Sequence, residues 1–237
     1  MNGLSADLAE LTLLRQGLGA ETACEVLVCP PASLIARAVS VVEGAFALGG
    51  QDCHAHASGA FTGDISAEML KDTGASHVIV GHSERRQYHG ETDELVAAKA
   101  QAAWRAGLTA VICVGETEAE RDRGHAKPIC HGQIKGSVPK TANAMNTAIA
   151  YEPVWAIGTG KTPSDDDIAA MHAHLRDCLI AQLGEVGKGM RILYGGSVKP
   201  SNAAAILSLD NVNGALVGGA SLKARDFLAI IGAARAY

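Results

Sequence analysis

The 237-residue chain is 48% hydrophobic, 19% charged and 4% aromatic, with 27 glycines and a formal net charge of -5. A length of this order suits a single α/β barrel or sandwich, and the composition describes an aliphatic interior crossed by many small turns. The acidic balance excludes a basic field for nucleic acid or an anionic membrane surface, and no apolar run reaches the length of a membrane span.

The opening stretch MNGLSADLAE lacks the charged-then-apolar order of a signal peptide, which points to the cytoplasm. Cys24, Cys29, Cys53, Cys113, Cys130 and Cys178 show no CxxC spacing, and buried, reduced thiols are expected. Seven short apolar runs follow in chain order. VLVC (26–29) precedes GAFALGG (44–50) and HVIVGH (77–82), after which Ser83 and Glu84 read as the opening turn of a short helix. Thr92 caps a helix over 92–106, with Asp93 and Glu94 in its first turn and an apolar face of Leu95, Ala98, Ala102 and Ala103. TAVICVGE (109–116) leads into the polar stretch 124–146, a crossover with a loop on the face away from the chemistry. TAIAYE (147–152) runs into PVWAIGTGKTP. A second capped helix follows Ser164, with Ile168, Met171, Leu175, Leu179 and Leu183 on one stripe and Gly184 after it. RILYGG (191–196) and GALVGG (214–219) complete the series. Continuous apolar strands alternating with helices indicate a parallel sheet covered by helices, and with no linker in sight residues 1–237 read as one (β/α) barrel domain.

Polar residues gather at the C-terminal ends of these strands: His82, Glu116, Glu152 and the glycine pairs at 195–196 and 218–219. In parallel α/β folds that rim is where ligands bind. A carboxylate at 152 beside apolar walls has its charged form disfavoured, which raises its pKa toward the range of a general base; a strand-end Glu paired with a Lys or a backbone donor is the alternative. The loop after it has stiff ends, PVW and KTP, around the glycine-hinged tip AIGTG, which is the layout of a lid. An imidazole at 82 meets the positive end of a helix dipole, which lowers its pKa and leaves a neutral ring able to donate to a carbonyl oxygen; a histidine satisfied by local backbone is the alternative. The other histidines show no metal-ligand spacing. YGGSVKPSN (194–202) and ALVGGASLK (215–223) set small residues between a strand and a helix, where backbone N–H groups bind a phosphate dianion. With Gly158 of the lid they make a three-sided cradle.

VIVGHSERR, ICVGE, AYEPVWAIGTGK, YGGSV and LVGGASL, in this order, resemble the triosephosphate isomerase family over almost the whole chain. The resemblance implies a parallel (β/α)8 TIM barrel and an isomerase that interconverts glyceraldehyde 3-phosphate and dihydroxyacetone phosphate through an enediolate, in glycolysis and gluconeogenesis, without metal or organic cofactor. It implies Glu152 as the base and His82 as the neutral electrophile. Gly158, Ser197, Gly218 and Gly219 are implied phosphate ligands through their N–H groups, and Glu84 and Cys113 supporting rim residues. HASGAFTGDIS (56–66) resembles the family's long third loop, which reaches into a neighbouring subunit, so a homodimer is implied; Asp64 stands where the family commonly carries Glu. The competing reading is a barrel that binds a phosphorylated ligand and performs no chemistry.

One departure stands at the start. The family opens with a strand ending in Asn-Trp-Lys-Met-Asn-Gly, of which Met1, Asn2 and Gly3 match, while the strand and the Lys are not in the sequence. The expectation is a natural start roughly five to ten residues upstream, about one strand. For a protein that begins at Met1 the expectation is an open edge between the strands at 26–29 and 214–219, and severely reduced turnover for want of that cation.

Overall fold

The computed structural model describes residues 1–19, 22–157 and 161–234. Among these described residues six parallel strands pair in chain order: β1 (Leu27–Val28), β2 (Ala47–Gly50), β3 (His77–Val80), β4 (Thr109–Val114), β5 (Thr147–Tyr151) and β6 (Arg191–Tyr194). The helices are α1 (Leu8–Gly17), α2 (Ala32–Val42), α3 (Ala67–Asp72), α4 (Ser83–His89), α5 (Asp93–Arg105), α6 (Glu118–Asp122), α7 (Ala126–Ser137), α8 (Asp165–Leu183), α9 (Glu185–Lys188), α10 (Ala203–Leu207) and α11 (Ala224–Gly232). Each strand is joined to its sequence neighbours through such crossovers, so the sheet curls with the helices outside it.

The strands bury both faces, and the period of two divides their side chains between two cores. Ile79, Val111, Cys113, Ala148 and Ala150 cluster inside the curl, with Leu27, Cys29, Leu193 and Leu216 half-buried against them. Val78, Val80, Ala110, Ile112, Ile149 and Tyr151 belong to the larger cluster shared with the helices. Each aliphatic side chain taken out of water there stabilises the fold by about 1.5–3 kcal/mol.

The sheet is uneven. Every residue of β5 is buried, whereas both residues of β1 are only half-buried. The run 214–219, expected as a strand, is not one: it makes a single bridge, Tyr194 to Ala215, with N–H···O bonds of 2.9 Å from Tyr194 to Gly214 and from Leu216 to Tyr194. Among the described residues no rung joins it to β1, so the sheet stays open between the two.

The local helix signals held. Thr92 Oγ1 accepts from Leu95 N–H at 3.3 Å, and Ser164 and Asp167 form a reciprocal capping box at the head of α8. The expected face of α5 is corrected in part: Ala102 and Ala103 are buried as expected, but Leu95 is exposed and Val96, Lys99 and Ala100 are buried as well. Lys99 stands inside because its ammonium meets Asp52 at 2.7 Å and Glu91 at 2.5 Å, and Arg85 Nε adds a contact to Glu91 at 2.6 Å. All six cysteines are free; Cys24 and Cys29 are half-buried and the other four buried. No helix among the described residues is long and apolar enough to cross a membrane.

Candidate active site

After β3 the chain turns at Gly81, whose φ of +67° is one that residues with a Cβ rarely adopt, and delivers His82 as the N-cap of α4. Nδ1 of His82 accepts from Glu84 N–H at 3.3 Å, so it is unprotonated and Nε2 carries the hydrogen. Nε2 lies 3.0 Å from Glu152 Oε1. The two side chains singled out from separate segments of the sequence are therefore in contact.

Glu152 follows directly on β5, its N–H held by Val114 C=O at 2.8 Å, and it is only 1% exposed. Ser83 grips the carboxylate from the other side, its backbone N–H donating to Oε2 at 2.9 Å and its hydroxyl to Oε1 at 3.0 Å. Burial pushes the His82 pKa down, but the hydrogen bond and charge of Glu152 together outweigh it and leave the ring above its ordinary value. That reverses the expected lowering, because the helix-end argument did not include a carboxylate at the ring.

Close packing surrounds this pair. A Cβ on Gly115 would lie 1.7 Å from Glu152 C=O, so only glycine fits where β4 runs out beside the end of β5. Gln133 of α7 clasps the same peptide, receiving Gly115 N–H at 2.7 Å and donating Nε2–H to Gly115 C=O at 3.0 Å. The stretch 124–146 thus reaches the chemical end of the sheet, a correction to its expected place. Arg86 ties the strand ends together through Gly81 C=O at 2.9 Å and Cys113 C=O at 3.1 Å. The Cys113 thiol is wholly buried, and burial, followed by the charge of Glu152, pushes it far up. Glu84 has an exposed side chain and contributes to the site through its N–H.

Glu116, at the end of β4, is fully buried. Its Oε1 accepts from Tyr151 Oη at 3.1 Å and Trp155 Nε1 at 2.9 Å, with Arg121 Nη1 at 3.5 Å and the Arg121 guanidinium 4.6 Å above the Trp155 ring. The loop that leaves Glu152 is anchored at its first turn. On the far side Gly195 donates its N–H to Tyr151 C=O at 2.7 Å, and a Cβ there would lie 3.0 Å from Glu152 Cγ. The glycine turn before Ser197 thereby adjoins the carboxylate.

Ser197 is half-buried, and Gly218 and Gly219 are exposed beyond the Tyr194–Ala215 bridge. Among the described residues, a Cβ on either glycine would meet no neighbour. Gly158 lies outside the described residues. Among the described residues no group of three His, Cys, Asp or Glu side chains is arranged to hold a metal ion. Sequence reasoning did not single out Ser83, Arg86 or Gln133 as site residues. Ser83 had a signal in its place right after His82; Gln133 had none, since its partner is 18 residues away.

The family model described as triosephosphate isomerase matches residues 1–234. A protein from Afipia carboxidovorans named triosephosphate isomerase is 60% identical over 232 residues, covering 97% of this chain and 92% of that protein. One of the same name from Rhodopseudomonas palustris is 58% identical over 234 residues, with the same coverage. The crystal structure of triosephosphate isomerase from Bartonella henselae superposes with a TM-score of 0.92 at 50% identity, covering 98% of this chain and 94% of that one.

Proposed function

The chain belongs to the triosephosphate isomerase family and has its TIM-barrel fold, and from that premise we propose how its own residues divide the work. It is an isomerase that interconverts glyceraldehyde 3-phosphate and dihydroxyacetone phosphate through an enediolate. Glu152 takes the proton from the carbon next to the substrate carbonyl while His82 Nε2–H donates to the carbonyl oxygen. The proton then returns to the neighbouring carbon while the hydroxyl proton passes from one substrate oxygen to the other, so that carbonyl and hydroxyl change places with nothing gained or lost.

The observation that carries this reading is the 3.0 Å contact between His82 Nε2 and Glu152 Oε1, which sets donor and base side by side where one three-carbon molecule can meet both. Here the carboxylate rests on Ser83 and His82; engaging substrate means exchanging those bonds for the C–H. As it leaves, the partner that raises the His82 pKa leaves too, and the neutral ring favoured by Glu84 N–H remains. The backbone amides of Ser197, Gly218, Gly219 and Gly158 hold the phosphate, a reading supported by exposed glycine amides in an acidic protein. Closure of loop 153–163 keeps water from the enediolate. The non-catalytic alternative leaves the buried Glu152 and its half-buried partner His82 without a task.

We further read residues 1–237 as one barrel domain, resident in the cytoplasm, where six free cysteines stay reduced. A homodimer formed through loop 56–66 is supported by Phe61, Ile65, Met69 and Tyr88, all large, apolar and exposed. Incubation with the ketose phosphate in deuterium oxide tests the chemistry: deuterium enters the carbon that Glu152 serves, and Glu152→Gln abolishes both exchange and turnover. Unimpaired exchange in that variant would remove Glu152 from the mechanism.

A further inference from the structure

His172 is a fully buried histidine that the mechanism above does not use. It sits on α8, one turn after Ile168, with Nδ1–H donating to Asn211 C=O at 3.0 Å and Nε2 without a hydrogen-bond partner among the described residues. Its ring meets Tyr151 edge-on, centroids 5.8 Å apart at 85°, and lies 6.2 Å from the Tyr194 ring at 45°. Each tyrosine leads directly to a piece of the site. Tyr151 precedes Glu152, and its hydroxyl shares Glu116 Oε1 with the indole of Trp155 at the start of the loop. Tyr194 precedes the Gly195–Gly196 turn and lines a cavity of about 150 Å³ with Thr162 and Pro163 from the loop's far end, together with Ser197 and Ile168.

We propose that His172 is a positioning residue: its uncharged ring is wedged beneath Tyr151 and Tyr194 and sets the seat on which both ends of loop 153–163 rest. The inference rests on the reading of that loop as a lid. A buried imidazole with an orphaned nitrogen is a costly way to fill apolar space, and an aliphatic side chain would pack there without that cost. What the imidazole adds is a flat ring whose plane is fixed by the Asn211 carbonyl. Asn211 is itself fixed, because its Oδ1 accepts from Arg176 Nε at 3.1 Å. The charged and titratable groups that face the ring are Arg176 on α8, Tyr151 on β5 and Tyr194 on β6. No carboxylate is in contact with it among the described residues, so the site favours the neutral form, and the pKa falls to about 4, chiefly through burial.

Two variants separate the ring from its hydrogen bond, read in a Trp104→Phe background so that Trp155 alone reports by fluorescence. His172→Asn keeps a donor near the Nδ1 position and removes the wedge. It is expected to lower kcat about tenfold with KM little changed, and to blunt the response of Trp155 to inorganic phosphate. His172→Phe keeps a ring and loses the donor; kcat and the Trp155 response should stay within about threefold of the parent while Tm falls. Either variant decides alone if the other fails to fold. Parental kcat and Trp155 response in His172→Asn, or a tenfold loss of kcat in a folded His172→Phe, would overturn the proposal. A parental Trp155 signal indifferent to phosphate would instead overturn the lid reading beneath it.

Discussion

Between the ends of β3 and β5, His82 and Glu152 touch at 3.0 Å and Ser83 adds two further hydrogen bonds to the carboxylate. Past β6, the rim at Gly218 and Gly219 offers backbone groups with nothing packed where a side chain would be. The first half is fixed before any substrate arrives, and its groups cannot move without breaking bonds they already have. The second half is held by one bridge and a short turn, and it is where the proposed phosphate contacts fall. The difference teaches where each kind of damage should register: in kcat for the rigid half, in KM for the open one.

The largest expected effect breaks the rigid half. Glu152→Asp withdraws the carboxylate by one methylene from Ser83 and from the substrate carbon, and kcat should fall on the order of 10³-fold with KM nearly unchanged. A loss shared equally with KM, seen by steady-state assay, would mean the halves are not separate.

Next comes a stability effect at the wedge beneath both halves. His172 has a folded pKa of about 4 against an ordinary value of 6.5, so the unfolded chain takes up a proton first as pH falls. Its contribution is fully present above pH 6.5 and is lost as pH falls toward 4, about 3 kcal/mol over the window. Urea unfolding at pH 7 and 4.5 should show this slope, reduced in His172→Phe.

Third, His82→Asn keeps a polar group at the N-cap but shortens the donor, and should cost about 10²-fold in kcat. With a raised folded pKa, His82 contributes stability that is present below pH 6.5 and lost as pH rises through that folded pKa. The variant should therefore lose its stability deficit at alkaline pH. The smallest effect sharpens the comparison from the other side. Gly219→Ala meets no neighbour, so Tm should hold while KM rises about tenfold as the methyl group crowds the phosphate.

Much of this was legible in the sequence wherever the physics is local. The caps at Thr92 and Ser164 act within three residues, the apolar runs mark β2 to β6, and the strand-end positions of His82 and Glu152 follow from those runs. What failed depended on partners far along the chain. Lys99 reads as a solvent-facing residue until Asp52, 47 positions away, neutralises it, and the buried face of α5 then includes a position that the apolar pattern left out. Likewise GALVGG has the composition of a strand, yet only one bridge forms along it, from Ala215 to Tyr194 on another segment. His172 was one of the histidines without metal-ligand spacing; its surroundings are Asn211 and two tyrosines from other segments.

The peptide at Gly115 has one last implication, for how freely this chain can drift. With the Glu152 carbonyl 1.7 Å from where a methyl group would begin, a saturation library should return a one-letter alphabet at position 115. Gly132, on α7 beside the glutamine that clasps that peptide, faces no neighbour and should welcome alanine, with helix propensity gained at about 1 kcal/mol. Two glycines so near in the fold would score at opposite ends of a mutational tolerance map.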